Sequence, residues 1–264
     1  MNIAIVIKNS ATRLQPDYQR LLESLSRSGV STTVIDSPIA RGEYDFVLAV
    51  GGDGTMLAAV GLVRDSGVPL VGVNFGHLGF LTTLAAADTD SLVANLSQGR
   101  YTIESHTLLH ATIGGADDLF VLNELALHRQ LDAPLMQTRV SVDSSYVATY
   151  TGDGLIVATP TGSTAYSLSC GGPILTPNAA CNVITPIGVH TLTLRPIIVP
   201  ASAHIELSTN PGDHPYCLSA DSDHRLLTPG ATIDIEPANF AVGIVRMGKQ
   251  DFFSAIHEKL SWDA

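Results

Sequence analysis

The stretch that decides the fold lies between residues 44 and 55, where an apolar segment, Tyr44–Val50 (YDFVLAV), ends abruptly in the glycine-rich Gly51–Thr55 (GGDGT). A short run rich in Val, Leu and Phe predicts a buried strand, and the glycines after it predict a tight turn into a helix. Backbone N–H groups in such a turn can approach a phosphate closely, and the helix directs its positive end toward the anion. The residues that we therefore expect to bind phosphate are Gly51, Gly52, Gly54 and Thr55.

A carboxylate lies in the middle of this turn, at Asp53. An aspartate beside phosphates repels them, so its presence favours a role in holding a divalent cation or in accepting the proton of an attacking hydroxyl. A P-loop needs a Gly-Lys-Ser/Thr ending that is absent, and a dinucleotide-binding fingerprint needs a third glycine where Leu57 stands. The motif thus indicates phosphoryl transfer. An ordinary strand–helix turn, in which Asp53 only caps the helix, is the open alternative.

Composition narrows the classes of protein. The chain has 264 residues, 45% of them apolar and 15% charged, which predicts a well-buried globular interior and allows two modest domains. Its formal net charge is −11 and it has no Lys/Arg cluster, so nucleic acid is a poor candidate partner. Cys170, Cys181 and Cys217 lack metal-ligand spacing, and we expect reduced thiols.

The sequence also bears on localisation. No apolar stretch reaches 18 residues without a glycine or a charge, which argues against a membrane span. The segment Met1–Lys8 is typical of a first strand and has neither a basic start nor a small-residue cleavage site. We therefore expect a cytoplasmic protein.

Two regions differ in pattern. Residues 1–98 alternate short Val/Ile/Leu-rich runs with helical segments, which predicts an α/β domain with a parallel sheet. Residues 99–239 are dominated by alternating, β-branched segments between turns, which predicts a β-rich domain. Residues 240–264 return to a strand and a helix, and we expect this tail to pack on the first domain. Examples of the strands expected in the β-rich region are Tyr101–Ile113, Leu119–His128, Thr138–Val142, Leu155–Ala158, His190–Leu194, Ile205–Ser208 and Thr232–Ile235.

A hydroxyl-rich segment, Thr159–Ser169 (TPTGSTAYSLS), follows one of these strands. Pro160 disfavours helix before it, so a helix should start near Gly162, capped by Ser163 or Thr161. Hydroxyls crowded at that start suit phosphate or ribose oxygens, and the Tyr166 ring suits stacking on a base. A Thr/Ser-rich capping turn without a ligand is the alternative.

Two further segments carry polar groups. Asn123 and Glu124 suit the diol of a ribose, although adjacent side chains in a strand face opposite ways, so joint binding requires a strand end or a bulge. A solvated surface pair is the alternative. Gly72–Leu81 follows a parallel strand and predicts a loop at the edge of the sheet where such folds bind ligands, with His77 as a structural loop residue.

Taken together, these motifs closely resemble those of the bacterial NAD kinases. The glycine-aspartate loop alone is shared with lipid kinases and phosphofructokinases, whereas the Asn-Glu pair and the hydroxyl-rich segment make the resemblance specific. The matching residues are Gly51–Thr55, Asn74, Leu78–Leu81, Asn123, Glu124, Asp153, Gly154, Thr159–Ser169, Gly171–Ile174, Arg195–Ile197 and Pro200.

The resemblance implies a Rossmann-like α/β domain followed by a β-sandwich-like domain, with the site in the cleft between them. It implies phosphorylation of the adenosine ribose 2′-hydroxyl of NAD by ATP, or by polyphosphate, giving NADP and ADP. A divalent metal ion, with Mg²⁺ expected, and a homodimer or homotetramer are implied as well. Asp53 is then the catalytic acceptor of the 2′-hydroxyl proton. The NAD-binding residues implied are Asp53, Gly54, Asn123, Glu124, Thr151, Asp153, Thr164, Ala165, Tyr166, Ser167, Leu168, Ser169 and Asp223.

The chain departs from the family at two of these positions. Asp223 ends the triplet Asp221-Ser222-Asp223 where many relatives have Asp-Gly-Gln, which puts its contact with NAD in question. Thr151 stands where many relatives carry a basic residue. Two rival functions remain open: a lipid or sugar kinase that uses the same loop, and an NAD-binding regulator without turnover.

Overall fold

The computed structural model describes residues 1–75, 79–82, 84–85, 89–191, 193–210, 214–248 and 251–262. The chain divides into two units. The first unit comprises Met1–His106 and Ala241–Ala264, and the second comprises Thr107–Phe240. The sequence predicts domain boundaries after residues 98 and 239, and these boundaries stay predictions.

The first unit contains a parallel sheet. Its strands β1 to β4 are hydrogen-bonded in the order β2-β1-β3-β4, and the short β5 lies parallel to β4. The end of a later strand, β17, also pairs with β4, at Ile244 and Leu70. The bounds are β1 Asn2–Val6, β2 Ser31–Val34, β3 Phe46–Val50, β4 Leu70–Asn74, β5 Leu84–Ala85 and β17 Thr232–Arg246.

Helices cover both faces of this sheet. On one face, Ile3, Leu48 and Val71 pack in one core cluster with the side chains of α1 and α3. Val47, which alternates with Leu48, is buried outside that cluster, and α2 contacts β3. Burial on both faces is why every residue of β3 is apolar. The helices are α1 Pro16–Arg27, α2 Asp53–Val63, α3 Thr89–Ser97 and α5 Phe252–Leu260.

The second unit packs two antiparallel sheets on one core. The first has β10-β9-β14-β17, with β6 and β7 paired beside it, and the second has the order β13-β12-β11-β8-β15-β16. Inner side chains of both sheets, such as Val140 and Ile205 from one and Leu127 and Leu155 from the other, share one hydrophobic cluster. The strands are β6 Thr102–Ile113, β7 Asp117–Val121, β8 Glu124–Arg129, β9 Met136–Val142, β10 Ser145–Gly152, β11 Gly154–Ala158, β12 Cys181–Ile187, β13 Ile197–Pro200, β14 Ile205–Asn210, β15 Tyr216–Ala220 and β16 Asp223–Leu227.

Two strand predictions are wrong. The expected strand Leu119–His128 is two strands, β7 and β8, which are interrupted at Leu122 and Asn123. The expected strand His190–Leu194 is irregular in its described residues. The apolar alternation there belongs to a connection between β12 and β13.

Two smaller expectations are tested as well. Within the described residues, no helix combines the length and the apolar character needed to cross a membrane. Cys170, Cys181 and Cys217 are free thiols, as predicted.

Candidate active site

The glycine-rich turn connects β3 to α2 as predicted. Gly51 donates its N–H to the Val73 carbonyl of the neighbouring strand at 2.8 Å, which fixes the start of the turn. Gly52 is the N-cap in an extended conformation, and α2 begins at Asp53. Gly52 and Gly54 are exposed, whereas the Thr55 side chain is buried beneath Gly51. The exposed backbone at this helix start is therefore the part suited to an anion.

Asp53 does not cap its own helix. Its carboxylate instead accepts two backbone hydrogen bonds from another loop, from Phe80 N–H to Oδ2 at 2.9 Å and from Leu81 N–H to Oδ1 at 3.1 Å. The alternative that Asp53 is only a helix cap is therefore wrong. Each carboxylate oxygen keeps further lone pairs, and the side chain is only half-buried, so the group can still accept a proton or a ligand.

The loop that holds Asp53 is itself tightly built. Gly79 donates its N–H to the Thr82 hydroxyl at 2.7 Å, and Thr82 is buried. A Cβ atom at Gly79 would collide with the Asp53 carboxylate, so only glycine fits at this close approach. Part of the predicted Gly72–Leu81 loop, including His77, lies outside the described residues.

In the second unit, Asn123 and Glu124 lie at a strand end, as joint binding requires. The hairpin between β15 and β16 places Asp221 beside them, in a left-handed conformation with φ 48°. The Asp221 carboxylate accepts the N–H groups of Leu122, Asn123 and Glu124 at 2.7, 2.9 and 3.1 Å. These three bonds replace the sheet ladder at the interruption, and they give the break between β7 and β8 its shape.

Asp221 is a functional candidate that the motif comparison passed over. The sequence marks it only as the first residue of the triplet Asp221-Ser222-Asp223, and the pattern that points to it is an aspartate at a hairpin turn after an alternating strand. Burial raises the pKa of Asp221, against the three N–H groups that lower it.

The same arrangement perturbs Glu124. Burial, followed by the charge of Asp221, raises the pKa of Glu124 to about 7, although the Tyr166 backbone N–H bonds to its carboxylate. Its Oε2 atom is buried and has no hydrogen-bond partner within the described parts of the chain. A half-buried carboxyl with one unsatisfied oxygen is suited to accept a hydroxyl group of a ligand.

The hydroxyl-rich segment folds as a 3-10 helix, Thr161–Thr164, followed by the short helix α4, Tyr166–Ser169. Neither has a side-chain cap, so the predicted caps are wrong. Instead, the Ser163 hydroxyl donates to the Pro160 carbonyl at 2.6 Å and accepts from Leu175 N–H at 2.9 Å.

Buried hydroxyls in this segment hold the Asn123 turn. The Thr159 hydroxyl donates to the Leu122 carbonyl at 2.5 Å, and Gly162 lies so close to the Asn123 backbone that a Cβ would collide with it. Ser167 is fully buried and bonds to the Thr185 hydroxyl at 2.8 Å. The Ser167 hydroxyl therefore has a partner inside the protein, and its contact with NAD stays a prediction.

Other members of the segment are accessible. Tyr166 is 37% exposed, and its ring stacks on His128 with a centroid separation of 5.5 Å. Burial lowers the pKa of His128 and raises that of the Tyr166 hydroxyl, which favours the neutral form of both rings. Ser169 is exposed, and the half-buried residues are Thr164, Ala165 and Leu168.

Asp153 precedes β11 and forms an ion pair. Arg129 at the end of β8 donates from Nε to the Asp153 Oδ1 atom at 2.6 Å, and its Nη1 bonds to the carbonyls of residues 130, 131 and 133. Thr151 is half-buried in β10, paired with Gln137. A basic group thus reaches Asp153 from the strand that neighbours β11.

Asp223 has a different setting from the other predicted contacts. It is the exposed first residue of β16, and its carboxylate pairs with the Arg225 guanidinium at 3.1 Å. Within the described residues, no group of three or more His, Cys, Asp or Glu side chains forms a metal cluster.

Solved structures resemble this chain over its whole length. A yeast NADH kinase complexed with NADH has a TM-score of 0.88 over 100% of this chain and 88% of its own, at 23% identity, which concerns the fold alone. An NAD kinase from Archaeoglobus fulgidus in complex with ATP has a TM-score of 0.81 at 26% identity and covers 99% of both chains.

Sequence comparisons identify the family. The NAD kinase of Flavobacterium psychrophilum is 37% identical over 83% of this chain and 76% of its own, and that of Symbiobacterium thermophilum is 35% identical over 98% of each. The family models described as ATP-NAD kinase N-terminal and C-terminal domains match residues 5–101 and 122–247. This chain therefore belongs to the ATP-NAD kinase family.

Proposed function

We propose that Asp53 is the proton acceptor of an NAD kinase reaction in this protein. The protein phosphorylates the adenosine ribose 2′-hydroxyl of NAD with ATP and releases NADP and ADP, as its family membership shows. The observation that supports the role of Asp53 is the pair of hydrogen bonds from Phe80 and Leu81. These bonds fix the orientation of its carboxylate at the start of α2, beside the exposed glycine backbone.

In the proposed reaction, the ribose 2′-oxygen attacks the γ-phosphorus of ATP, and the bond from that phosphorus to the β–γ bridging oxygen breaks. ADP leaves with the bond electrons, and the 2′-hydroxyl proton moves to the Asp53 carboxylate. The transition state of phosphoryl transfer is loose, so positioning of the two substrates contributes much of the rate enhancement. The exposed N–H groups at Gly52 and Gly54 are the proposed contacts of the ATP phosphates.

Most of the proposed NAD-binding groups lie in the second unit. The Glu124 carboxylate accepts hydrogen bonds from ribose hydroxyls, and the Asn123 amide donates hydrogen bonds to them. The exposed Tyr166 ring stacks on a planar base. Asp153 contributes an oriented carboxylate through its pair with Arg129. The remaining proposed contacts are Gly54, Thr151, Thr164, Ala165, Leu168, Ser169 and Asp223.

A divalent ion, Mg²⁺, is the proposed metal. Mg²⁺ is usually held by substrate phosphates, one or two carboxylates and water, so the reaction does not require a cluster of protein ligands. The lone pairs left on Asp53 suit one such contact, and the ion neutralises the phosphate charge that an acidic protein otherwise repels. We also propose that the protein forms a homodimer or homotetramer, is located in the cytoplasm and has no nucleic-acid or membrane partner.

A coupled assay for NADP formation tests this function. We expect NADP and ADP to form in equal amounts with ATP and Mg²⁺, and the rate to fall to background when the metal is chelated. In a parallel reaction, polyphosphate is the phosphate donor in place of ATP. In further reactions, the acceptor in place of NAD is NADH, diacylglycerol or fructose 6-phosphate. Tight NAD binding without ADP release would support the regulator instead, and a faster reaction with the lipid or the sugar would contradict the proposal.

The raised pKa of Glu124 predicts that NAD binding depends on pH. A ribose hydroxyl bonds more strongly to an ionised carboxylate, so binding favours loss of the proton. We expect the KM for NAD to fall roughly tenfold from pH 6 to pH 8, as Glu124 ionises through a pKa of about 7. The stability of the free protein changes in the opposite direction, because the folded state holds this proton above the pKa of an unfolded glutamate and stability declines as pH rises toward 7.

Glu124→Gln is the control for this dependence. The variant cannot ionise at this position, so its KM for NAD should be nearly constant between pH 6 and pH 8. An equally steep pH dependence in Glu124→Gln would show that another group is responsible.

A further inference from the structure

A chain of contacts in the first unit connects the candidate base with an arginine far along the sequence. Arg246, the last residue of β17, donates from Nη1 to the Phe80 carbonyl at 3.3 Å. It also donates from Nε to Glu104 Oε2 at 2.6 Å. Phe80 and Leu81 supply the two N–H groups that hold Asp53. The guanidinium therefore lies on the far side of the loop that orients the base.

The geometry of one peptide unit makes this connection rigid. The Phe80 carbonyl and the Leu81 N–H belong to the same peptide group, which is planar, and no cis peptide bond is present in the described residues. In a trans peptide the C=O and the N–H point in opposite directions. Arg246 holds the C=O side of this plane, and Asp53 accepts from its N–H side at 3.1 Å. Fixing the carbonyl thus fixes the direction of the N–H toward the Asp53 carboxylate.

Glu104 fixes the arginine in turn. Its carboxylate lies 3.7 Å from the Nε2 atom of the buried His106. The nearby His106 ring, together with the charge and hydrogen bond of Arg246, lowers the pKa of Glu104 to about 2 despite its partial burial. Glu104 is therefore ionised at neutral pH, and a charge-assisted bond orients the guanidinium fork.

We propose that Arg246 is a positioning residue for phosphoryl transfer, which acts on Asp53 through the Phe80–Leu81 peptide and is itself oriented by Glu104. This inference rests on the proposed role of Asp53 as the base. Loss of Arg246 leaves the loop in place through Thr82 but frees the peptide plane to rotate. Such a rotation moves the Asp53 carboxylate away from in-line geometry, which costs rate rather than affinity.

The first test is the kinetics of Arg246→Met, which keeps an apolar stem and removes both hydrogen bonds. We expect kcat to fall roughly 10-fold to 100-fold, since small displacements of reacting groups have effects of this size. The KM for NAD should change less than about twofold, because the proposed NAD contacts are made by other residues. Thermal melting curves of both proteins show whether Arg246→Met is fully folded at the assay temperature. This control excludes a lower kcat that is caused only by unfolded protein.

Matched variants separate position from charge. Arg246→Lys keeps the charge but has no fork to reach both partners, so its kcat should lie between those of the wild type and Arg246→Met. Glu104→Gln keeps the shape and should show a smaller loss in the same direction. Arg20→Met removes an ion pair with Asp17 on α1 and should leave kcat unchanged. If Arg246→Met does not fold, Arg246→Lys and Glu104→Gln carry the test.

A double-mutant cycle with Asp53→Asn decides whether Arg246 acts through Asp53. If it does, adding Arg246→Met to Asp53→Asn should lower kcat by less than about twofold further. If the two effects multiply in full, or if Arg246→Met has wild-type kcat, the inference is overturned and the role of Asp53 stands. If Asp53→Asn alone turns over normally, it is the proposed function that fails.

Discussion

Asp53→Asn is expected to lower kcat for NADP formation roughly 10²-fold to 10⁴-fold, the contribution typical of a positioned general base. The asparagine has the same shape, so the phosphate-binding turn is expected to keep its conformation. Its amide oxygen can accept one of the two N–H groups of Phe80 and Leu81, whereas the other N–H then faces the amide nitrogen, which cannot accept a hydrogen bond. The loss of turnover should still exceed the loss of stability, for which we expect about 1–3 kcal/mol from one unsatisfied N–H group.

The measurement for Asp53→Asn pairs steady-state kinetics with calorimetric titration of NAD. The dissociation constant for NAD should stay within about threefold of the wild-type value, because the proposed NAD contacts are made largely by residues 123–169. Turnover within about threefold of wild type would remove Asp53 from the role of base. A proportional loss of NAD affinity would instead make Asp53 a binding residue.

Asp221→Ala is expected to have the largest effect on stability and to weaken NAD binding. The substitution leaves the N–H groups of Leu122, Asn123 and Glu124 without their acceptor, in a part of the chain where Leu122 and Asn123 are buried. Removing one partner of a buried charged network costs about 3–5 kcal/mol. The same loss frees the turn that orients Asn123 and Glu124, so we expect the dissociation constant for NAD to rise at least roughly tenfold.

Asp143→Ala is the matched control for this substitution. Asp143 has the same φ of 48° in a turn of the second unit, but among the described residues its carboxylate accepts one backbone N–H, that of His204 at 3.0 Å. Urea unfolding should therefore show a smaller loss for Asp143→Ala, about 1–2 kcal/mol, with NAD binding unchanged. Equal stability losses in the two variants, or unaltered NAD affinity in Asp221→Ala, would contradict the role given to Asp221.

The sheet of the first unit could be predicted because its strands are buried on both faces. The segment Phe46–Val50 is apolar at every position and lies between a charged residue and glycines, so local composition alone marks it. The strand Leu70–Asn74 is apolar up to Asn74 and follows a proline. The turn after β3 was also predictable, since only glycines and one small side chain occupy it.

The interruption at Asn123 could not be predicted because its cause is distant in the sequence. The segment Leu119–His128 is apolar on both sides of Asn123 and Glu124, as one buried strand can be, and the break is stabilised by Asp221 from another hairpin. The strand β17 is longer than its sequence suggests. Pro237 predicts that the strand ends, because proline has no N–H for a ladder hydrogen bond. The pairing of β17 with β14 covers only Thr232–Ile235, so Pro237 leaves no gap in that ladder.

The candidate site could be predicted in residue type more than in role. A cluster of Ser and Thr indicates polar chemistry, but the sequence does not show which hydroxyls point inward. Ser163 and Ser167 prove to be internal partners, whereas Ser169 is exposed. Arg246 had no motif around it, and its significance comes from a contact with one backbone carbonyl.

The most direct test of the role of Asp53 is a crystal structure with NAD and a non-hydrolysable ATP analogue. We expect an Asp53 carboxylate oxygen within about 3.2 Å of the adenosine ribose 2′-oxygen, the reach of a general base. The γ-phosphate should lie against the backbone of Gly52 and Gly54. A fully occupied complex with that ribose oxygen more than about 6 Å from Asp53, and with no water between them, would contradict the account.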